Sequence, residues 1–490
     1  MWPLQRFCGV VHRSFNSLRL LEIFRYRQLS NITVSKARFS SKAASQMLSA
    51  DICKQPEPTA NVKINTPQFQ SLFTEGLKTV QKLFKDNNYE LRLCGGAVRD
   101  LLMNKEPKDI DLATVATPDQ MVAMFEKQNI RLISANGISH GTVTCRIAEQ
   151  NMEITTLRID KVTDGRHAEV VFTDDWFLDA SRRDLTFNAM FLTLDGQLID
   201  FYNGKDDLEN LRVKFVGEAE QRIKEDFLRI LRYFRFFGKI ADDNTKHDIE
   251  TLNCITQNAH GLAGISGERL WMELKLILCG RFVFESFKCM HQCGLFPYLG
   301  LPSEFNSDLL ETVCAKARHL NMHHVTPLAA LFNTLNEVDI CCEKLKLSNA
   351  EYHILWFIVA YKHTLPKGND RFNAYMEMLV SGYRFRQELL SNLHELLKFA
   401  GDIEALDYFT NFKVPSFPLG GEEVKSRGQI KGKQIAPAMS TLFAIWRHSG
   451  YTLSKQQLLE HFGPDTNWTD LQAMYPQIET KFAPKKRRKL

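Results

Sequence analysis

The stretch Leu91 to Thr117, LRLCGGAVRDLLMNKEPKDIDLATVAT, decides the fold. A short apolar run of strand type, Leu91 to Cys94, meets Gly95-Gly96, then the helix-like AVRDLLM, then a second strand-like run carrying Asp109 and Asp111. Two adjacent glycines leave no Cβ between the backbone and an incoming triphosphate. The amides that open the following helix, at its positive dipole end, can therefore approach phosphate oxygens. Arg99 adds a fixed positive charge beside them. On a strand, side chains two apart share a face, so Asp109 and Asp111 can hold hard cations of the Mg²⁺ type between them. Two such ions roughly 4 Å apart activate an attacking hydroxyl and stabilise a leaving pyrophosphate. Either half alone reads equally as a glycine turn or as a pair of solvated aspartates. Their joint occurrence between Gly95 and Asp111 points to a phosphate and metal site.

Outward from that stretch, the 490 residues are 44% hydrophobic and 24% charged, an ordinary globular composition long enough for several domains and a sizeable core. The net charge of +5 permits an anionic partner such as nucleic acid without demanding one. Eleven cysteines are scattered without a CxxC pair, which fits a reducing compartment rather than a disulfide framework. Cys289-x-His291-x-Cys293 lacks a second pair and reads as spare thiols in a helical domain. Residues 1–46 hold Arg6, Arg13, Arg19, Arg25, Arg27 and Arg38 with several serines and only Glu22 as an acid. That is the composition of a mitochondrial transit peptide, and it is set aside from the fold. Initiation at Met47 would give a cytosolic or nuclear form without the address. The basic run Pro484 to Lys489, in residues 483–490, reads as a nuclear-localisation or RNA-contacting tail, or equally as a solvated terminus. No apolar run of about twenty residues follows the presequence, so no membrane span is expected.

Residues 47–66 form a polar, proline-containing linker. Phe69, Leu72, Phe73, Leu77, Val80 and Phe84 fall at helical spacing and predict one amphipathic helix, Phe69 to Phe84. Another helix is expected over Pro118 to Gln128, then strands over Gly141–Ile147, Met152–Ile159 and Ala168–Phe172. This makes a compact α+β module ending near Phe201. Beyond Leu211 the pattern is helical almost throughout, with breaks at Gly204–Val213, Asn258–Ser266 and Asn411–Arg427.

Three further motifs carry chemistry. Glu153, in EITTLR, is either a third carboxylate approaching the metal pair from a neighbouring strand or an exposed strand glutamate. Arg182-Arg183-Asp184, followed by Asn188, suits phosphate and ribose binding, or is a charged helix start. The run Glu225 to Gly238, EDFLRILRYFRFFG, predicts a helix that is apolar nearly all round yet keeps Asp226, Arg229, Arg232 and Arg235 at spacings of three. Buried arginines need anionic partners, either a nucleotide or intramolecular carboxylates. Asp226 and Arg229 present an acceptor and a donor together, a pattern that suits the amino group and ring nitrogen of cytosine and adenine and mismatches guanine and uracil. The charges of Gly267 to Leu274, GERLWMEL, are read as fixing the junction between modules.

GGAVRD with DID, HGTV followed by EITTLR, TDGRHAEV, RRDLTFNAMF, EDFLRILRYFRFFG and GERLWMEL, in that order, resemble the successive motifs of the class II CCA-adding tRNA nucleotidyltransferases, whose first motif is shared with bacterial poly(A) polymerases. The resemblance covers roughly Leu91 to Leu278. It implies an α+β N-terminal nucleotidyltransferase palm, or head (67–203), followed by all-α neck (204–275), body (276–360) and tail (361–482) domains. It implies template-independent, Mg²⁺-dependent addition of CCA to tRNA from CTP and ATP by a monomer or homodimer. In that family Asp109 and Asp111 would hold the metals, with Glu153 near. Gly95, Gly96, Arg99 and Arg183 would contact the nucleotide. Asp226 and Arg229 would select the base, while Arg232 and Arg235 support the triphosphate or the template. Thr163 to Ala168 would be a flexible loop used in the switch to A addition. Gly420 to Leu442 is similar to the glycine-rich junction of the family's tail, with Lys431-Gly432-Lys433 in place of the usual Gly-Pro. Lys425, Arg427, Lys431 and Lys433 there form a candidate tRNA-phosphate patch. The rivals are a poly(A) polymerase or partial CC-only or A-only enzyme, and a catalytically silent tRNA-binding protein.

Overall fold

Strand β1, Leu91–Cys94, alternates strictly: Leu91 and Leu93 belong to the large apolar core, while Arg92 and Cys94 face the other way. The same period sets the neighbouring strands. In β2, Asp111–Thr114, Leu112 joins the large core and Ala113 the opposite face. The computed structural model describes residues 62–475 apart from 135–136, 161–169, 245, 367, 369, 382–385, 431 and 465. The transit segment 1–46, Met47, the loop Thr163 to Ala168, Lys431 and the basic terminus 483–490 therefore lie outside the described residues.

Helices α1 (Pro67–Ser71) and α2 (Glu75–Asp86) precede β1. The single helix expected over Phe69 to Phe84 is thus two, because the Thr74 hydroxyl accepts from Leu77 N–H and starts a new helix. After β1 come α3 (Gly96–Leu102), β2, α4 (Pro118–Lys127), β3 (Arg131–Ser134), β4 (Thr142–Ile147) and β5 (Gln150–Thr156). The expected strand Met152–Ile159 also divides. The chain turns at Leu157, whose side chain is buried on the second face, and β6 (Arg158–Asp160) pairs instead with β7 (Val170–Phe172) in a separate two-stranded sheet. Helix α5 (Trp176–Ser181) leads to β8 (Phe191–Thr193) and β9 (Leu198–Ile199). The main sheet runs β3-β4-β5-β2-β1-β8-β9, antiparallel except for the parallel β2–β5 pair. Leu77, Val80 and Phe84 of α2 and Met121 and Phe125 of α4 cover one face. The other face is covered in part by a smaller cluster of Cys94, Ala113, Trp176, Ala180 and Phe191, and it carries Asp111 and Glu153 beside that cluster.

From α6 (Gly204–Glu209) onward the described chain is helical: α7 (Ala219–Glu225), α8 (Arg229–Ile240), α9 (Ile249–Asn258), α10 (Gly267–Leu278), α11 (Val283–Gln292), α12 (Phe296–Leu299), α13 (Ser307–Ala317), α14 (Leu335–Leu345), α15 (Asn349–Tyr361) and further helices to Trp468–Met474. The large core continues from the head through these helices as far as Phe409, and a separate cluster around Leu442, Trp446 and Phe462 holds the C-terminal part. Cys289 and Cys293 lie one turn apart and buried in the α11 region, and His291 Nε2 lies 2.8 Å from the Ser303 carbonyl. Among the described residues no helix is long and apolar enough to cross a membrane.

Candidate active site

Cys94 hands over to Gly95 at φ +59°, ψ −121°, a conformation that a Cβ would strain, and Gly96 opens α3. A Cβ on Gly96 would stand 3.5 Å from Arg99 Nη2 and 3.7 Å from Asp111 Oδ2, so the glycine leaves space between the cation and the acid. Arg99 is buried and donates to Asn188 Oδ1 (2.8 Å) and to Asp100. Arg183 donates to the Asn188 carbonyl (3.1 Å) and to Asp179 (2.9 Å). Burial opposes the Arg183 charge, but Asp179 beneath it more than offsets this and raises its pKa, so the guanidinium stays charged.

Asp109 lies in a bend just before β2 rather than on the strand, so the two-apart, same-face argument does not place it; its proximity to Asp111 comes from the turn. Asp111 opens β2 and stands in register with Glu153 on the adjacent parallel strand, both lining the cleft. Of its two readings, Glu153 is exposed and also lines the cleft. Burial raises the Asp111 pKa, and the charges of Glu153 and Asp109 raise it further. That mutual repulsion is what a divalent cation relieves, and hard oxygen donors are what it takes. Among the described residues no three His, Cys, Asp or Glu side chains close a coordination shell by themselves.

The opposite wall comes from the helices. The helix expected from Glu225 is interrupted: α7 ends at Glu225, Asp226 is extended (φ −151°, ψ 104°), and α8 begins at Arg229. The cause is local, since Asp226 Oδ1 accepts from Leu228 N–H and its carbonyl from Arg229 N–H, the bonds of a helix start. Arg229 donates to Glu225 Oε2 (2.8 Å), the Arg222 carbonyl (3.0 Å) and the Arg182 carbonyl (2.7 Å), which ties the neck to the head. Arg232 meets Asp184 (2.6 Å), and Arg235 meets Glu273 (3.2 Å). Carboxylates of the chain itself thus pair with both of these arginines. Burial lifts Asp184 toward its neutral form, but Arg232 outweighs it and holds the carboxyl low; Glu273 is raised by burial despite Arg235 and Arg232. Asp184 and Asn188 are likewise buried in this wiring, with Asn188 Nδ2 donating to Asp184 (3.2 Å).

One cleft of about 1500 Å³ is lined by Gly95, Gly96, Arg99, Asp109, Asp111, Glu153, Arg183, Asp226, Arg229, Arg232 and Arg235. Lys425, Arg427 and Lys433 are elsewhere: Lys425 pairs with Glu422 (3.3 Å), Arg427 donates to the Phe462 carbonyl, and Lys433 is exposed. Arg269, read as a junction charge, does join α10 to the turn before α8 by donating to Asp226 Oδ2 at 2.8 Å, and it also lines the cleft, which sequence reasoning missed. Nothing local signals that contact across 43 positions. Lys239, also in the wall, had a signal, since it stands four residues after Arg235 on the same helix.

The chain is similar to known proteins over most of its length. A family model described as the poly A polymerase head domain matches residues 91–214, and one described as a probable RNA and SrmB-binding site of polymerase A matches 247–303. The chain is 44% identical to the human protein named CCA tRNA nucleotidyltransferase 1, mitochondrial, over 413 residues, 84% of this chain and 95% of that protein. Its fold is similar to that of the Bacillus stearothermophilus CCA-adding enzyme solved in complex with CTP (TM-score 0.60, 23% identity, 81% of this chain and 97% of that one). It is also similar to the Thermotoga maritima CCA-adding enzyme complexed with tRNA (TM-score 0.54, 19% identity, 81% and 95%).

Proposed function

The chain belongs to the CCA tRNA nucleotidyltransferases of the poly(A) polymerase superfamily, and from that membership we propose the roles of its residues in building the 3′ CCA end of tRNA from CTP and ATP. The observation that carries the reading is the single cleft with the Gly95-Gly96 turn and carboxylates on the sheet side and Asp226 and Arg229 on the helix side.

The reaction joins the tRNA 3′ oxygen to the α-phosphorus of a nucleoside triphosphate and releases pyrophosphate. Arg99 and Arg183, each anchored to Asn188, present their remaining donors to the phosphates beside the Gly95-Gly96 backbone. Asp226 accepts from the amino group of cytosine or adenine and Arg229 donates to the ring nitrogen next to it, so guanine and uracil meet like against like. Arg232 and Arg235, held by Asp184 and Glu273, keep the selecting turn in place and the wall positive. The family implies a divalent metal; Asp109 and Asp111, with Glu153 in register, are the residues that would hold it. We take it to be Mg²⁺, which lowers the pKa of the attacking hydroxyl and offsets charge on the leaving pyrophosphate. The head would span 67–203, the neck 204–275, the body 276–360 and a tRNA-binding tail 361–482 that uses Lys425, Arg427, Lys431 and Lys433. Mitochondrial placement is supported by the name of the human relative and by the arginine-rich start, and initiation at Met47 would supply the second compartment.

The test uses residues 47–490 with Mg²⁺ and a tRNA ending at the discriminator base, offered CTP, ATP or both, with product ends sequenced. CC from CTP alone and CCA from both is expected, and Asp109→Ala should abolish addition while tRNA binding persists. Long A tails or a stop at CC would move the protein to the polymerase or partial-enzyme branch. Binding without incorporation would make it a silent binder, and undiminished Asp109→Ala turnover would exclude the metal role.

A further inference from the structure

Helix α10 presents two unlike faces. Leu270, Trp271, Leu274 and Ile277 are buried in the protein, while Arg269, Met272, Leu276 and Cys279 follow one another at spacings of three and four along the opposite stripe. Met272 is 66% exposed and Leu276 48%, which is unusual for large apolar side chains in the middle of a helix. The stripe has a direction. It begins at Arg269 beside Asp226, and Arg269, Leu276 and Cys279 line the catalytic cleft. Cys279, Gly280 and Arg281 then line a second cavity of about 640 Å³ as well, so the two spaces meet at the end of α10.

Cations flank that end. Arg281 donates to the carbonyls of Gly238, Lys239 and Ala241 at the end of α8, and Arg318 donates to the Gly280 carbonyl (3.1 Å). These bonds go to carbonyls and leave both positive charges at the surface, where Arg281 and Arg318 are exposed. Carboxylates are also near, Asp242 in the cleft wall and Glu285 and Glu311 in the second cavity, but Glu285 is engaged by Asn244 (2.9 Å).

An apolar stripe bordered by guanidinium groups and continuous with a phosphate-transfer cleft matches a single strand of nucleic acid, whose bases seek apolar surface and whose phosphates seek cations. A folded protein seated on the same stripe would cover the mouth through which nucleotide must pass. Resting on the reading that this cleft extends tRNA, we propose that Met272, Leu276 and Cys279 form the track on which the unpaired 3′ nucleotides of the tRNA lie, with Arg281 and Arg318 taking their phosphates.

The native thiol provides the test. Among the described residues Cys279 is the one exposed cysteine, so its alkylation can be followed by peptide mass spectrometry on the unmodified protein. Saturating tRNA that ends at the discriminator base should slow Cys279 alkylation at least about fivefold; equal rates with and without tRNA would overturn the track. In parallel, Met272→Ala, at an exposed position outside the cleft lining, should raise KM for tRNA by about tenfold, the scale of a lost base contact, and leave KM for CTP unchanged. An unchanged KM for tRNA overturns the proposal as well. Thiol protection reads binding without turnover, so a wild-type protein that is protected but does not incorporate nucleotides would refute the catalytic reading and keep the track.

Discussion

At Gly95 the backbone conformation and the chemistry depend on the same missing atom. Its φ of +59° with ψ of −121° is strained for any residue with a Cβ, and that Cβ would also stand 3.4 Å from Arg183 Nη1. Gly95→Ala should therefore cost about 1–3 kcal/mol of stability and, by shifting the strained turn, move the backbone beside Arg183. A melting curve should shift down by several degrees, and incorporation should fall at least about tenfold. A lowered Tm with undiminished turnover would make the glycine a turn residue only. This position was legible in the sequence because a glycine pair between a strand and a helix is a local requirement. Arg269 was not, because its partner Asp226 is reached only when α10 folds back against the start of α8.

At the scale of elements, apolar periodicity identified α8 and misplaced its beginning. Phe227, Leu228 and Ile230 keep helical spacing across the break, so spacing alone runs the helix on to Glu225. What stops it is hydrogen bonding by Asp226 together with the seating of Phe227 against Gly261, where an added Cβ would lie 2.0 Å from the ring. Such a close approach has no signature in a hydrophobic pattern. Behind this wall, Glu351 at the start of α15 clamps α10, accepting from Trp271 Nε1 (3.1 Å) and pairing with Lys275 (2.7 Å) and His324 (2.9 Å) while capping its own helix through Ser348. Burial pushes its carboxyl up, but the bonds from Lys275, Ser348 and His324 outweigh this and bring it down to about 2. A carboxyl held lower in the folded state than in the unfolded one stabilises the fold above the ordinary carboxylate range, and this is lost as pH falls through the folded value. The contribution is about 3 kcal/mol. The stability difference between wild type and Glu351→Gln, from urea midpoints, should shrink from about pH 5 toward about pH 2. A difference that stays constant over that range would show that the clamp does not depend on charge.

Across the whole molecule, the site exists because two differently built parts face each other. The order of motifs along the chain foretold this division, an α+β head and a helical remainder, since alternation of period two gives way to helical spacing beyond Leu211. It placed Gly95, Gly96, Arg99, Asp111, Glu153 and Arg183 on one side and Asp226 to Arg235 on the other, and the two sets do share a cleft. How they are wired together was not legible: Arg99 donating to Asn188, 89 positions away, and Arg229 reaching the Arg182 carbonyl, 47 positions away, are contacts between distant parts of the chain. On the proposed reading, this protein wall, with no nucleic-acid template, chooses the base. The most direct measurement is to extend a tRNA ending at the discriminator base with wild type and Asp226→Ala in an equimolar mixture of the four triphosphates, and to sequence the product ends. Wild type should give CCA, while the variant should admit G or U with discrimination reduced at least about tenfold and still bind triphosphate. A variant that adds CCA with unchanged fidelity would contradict the account.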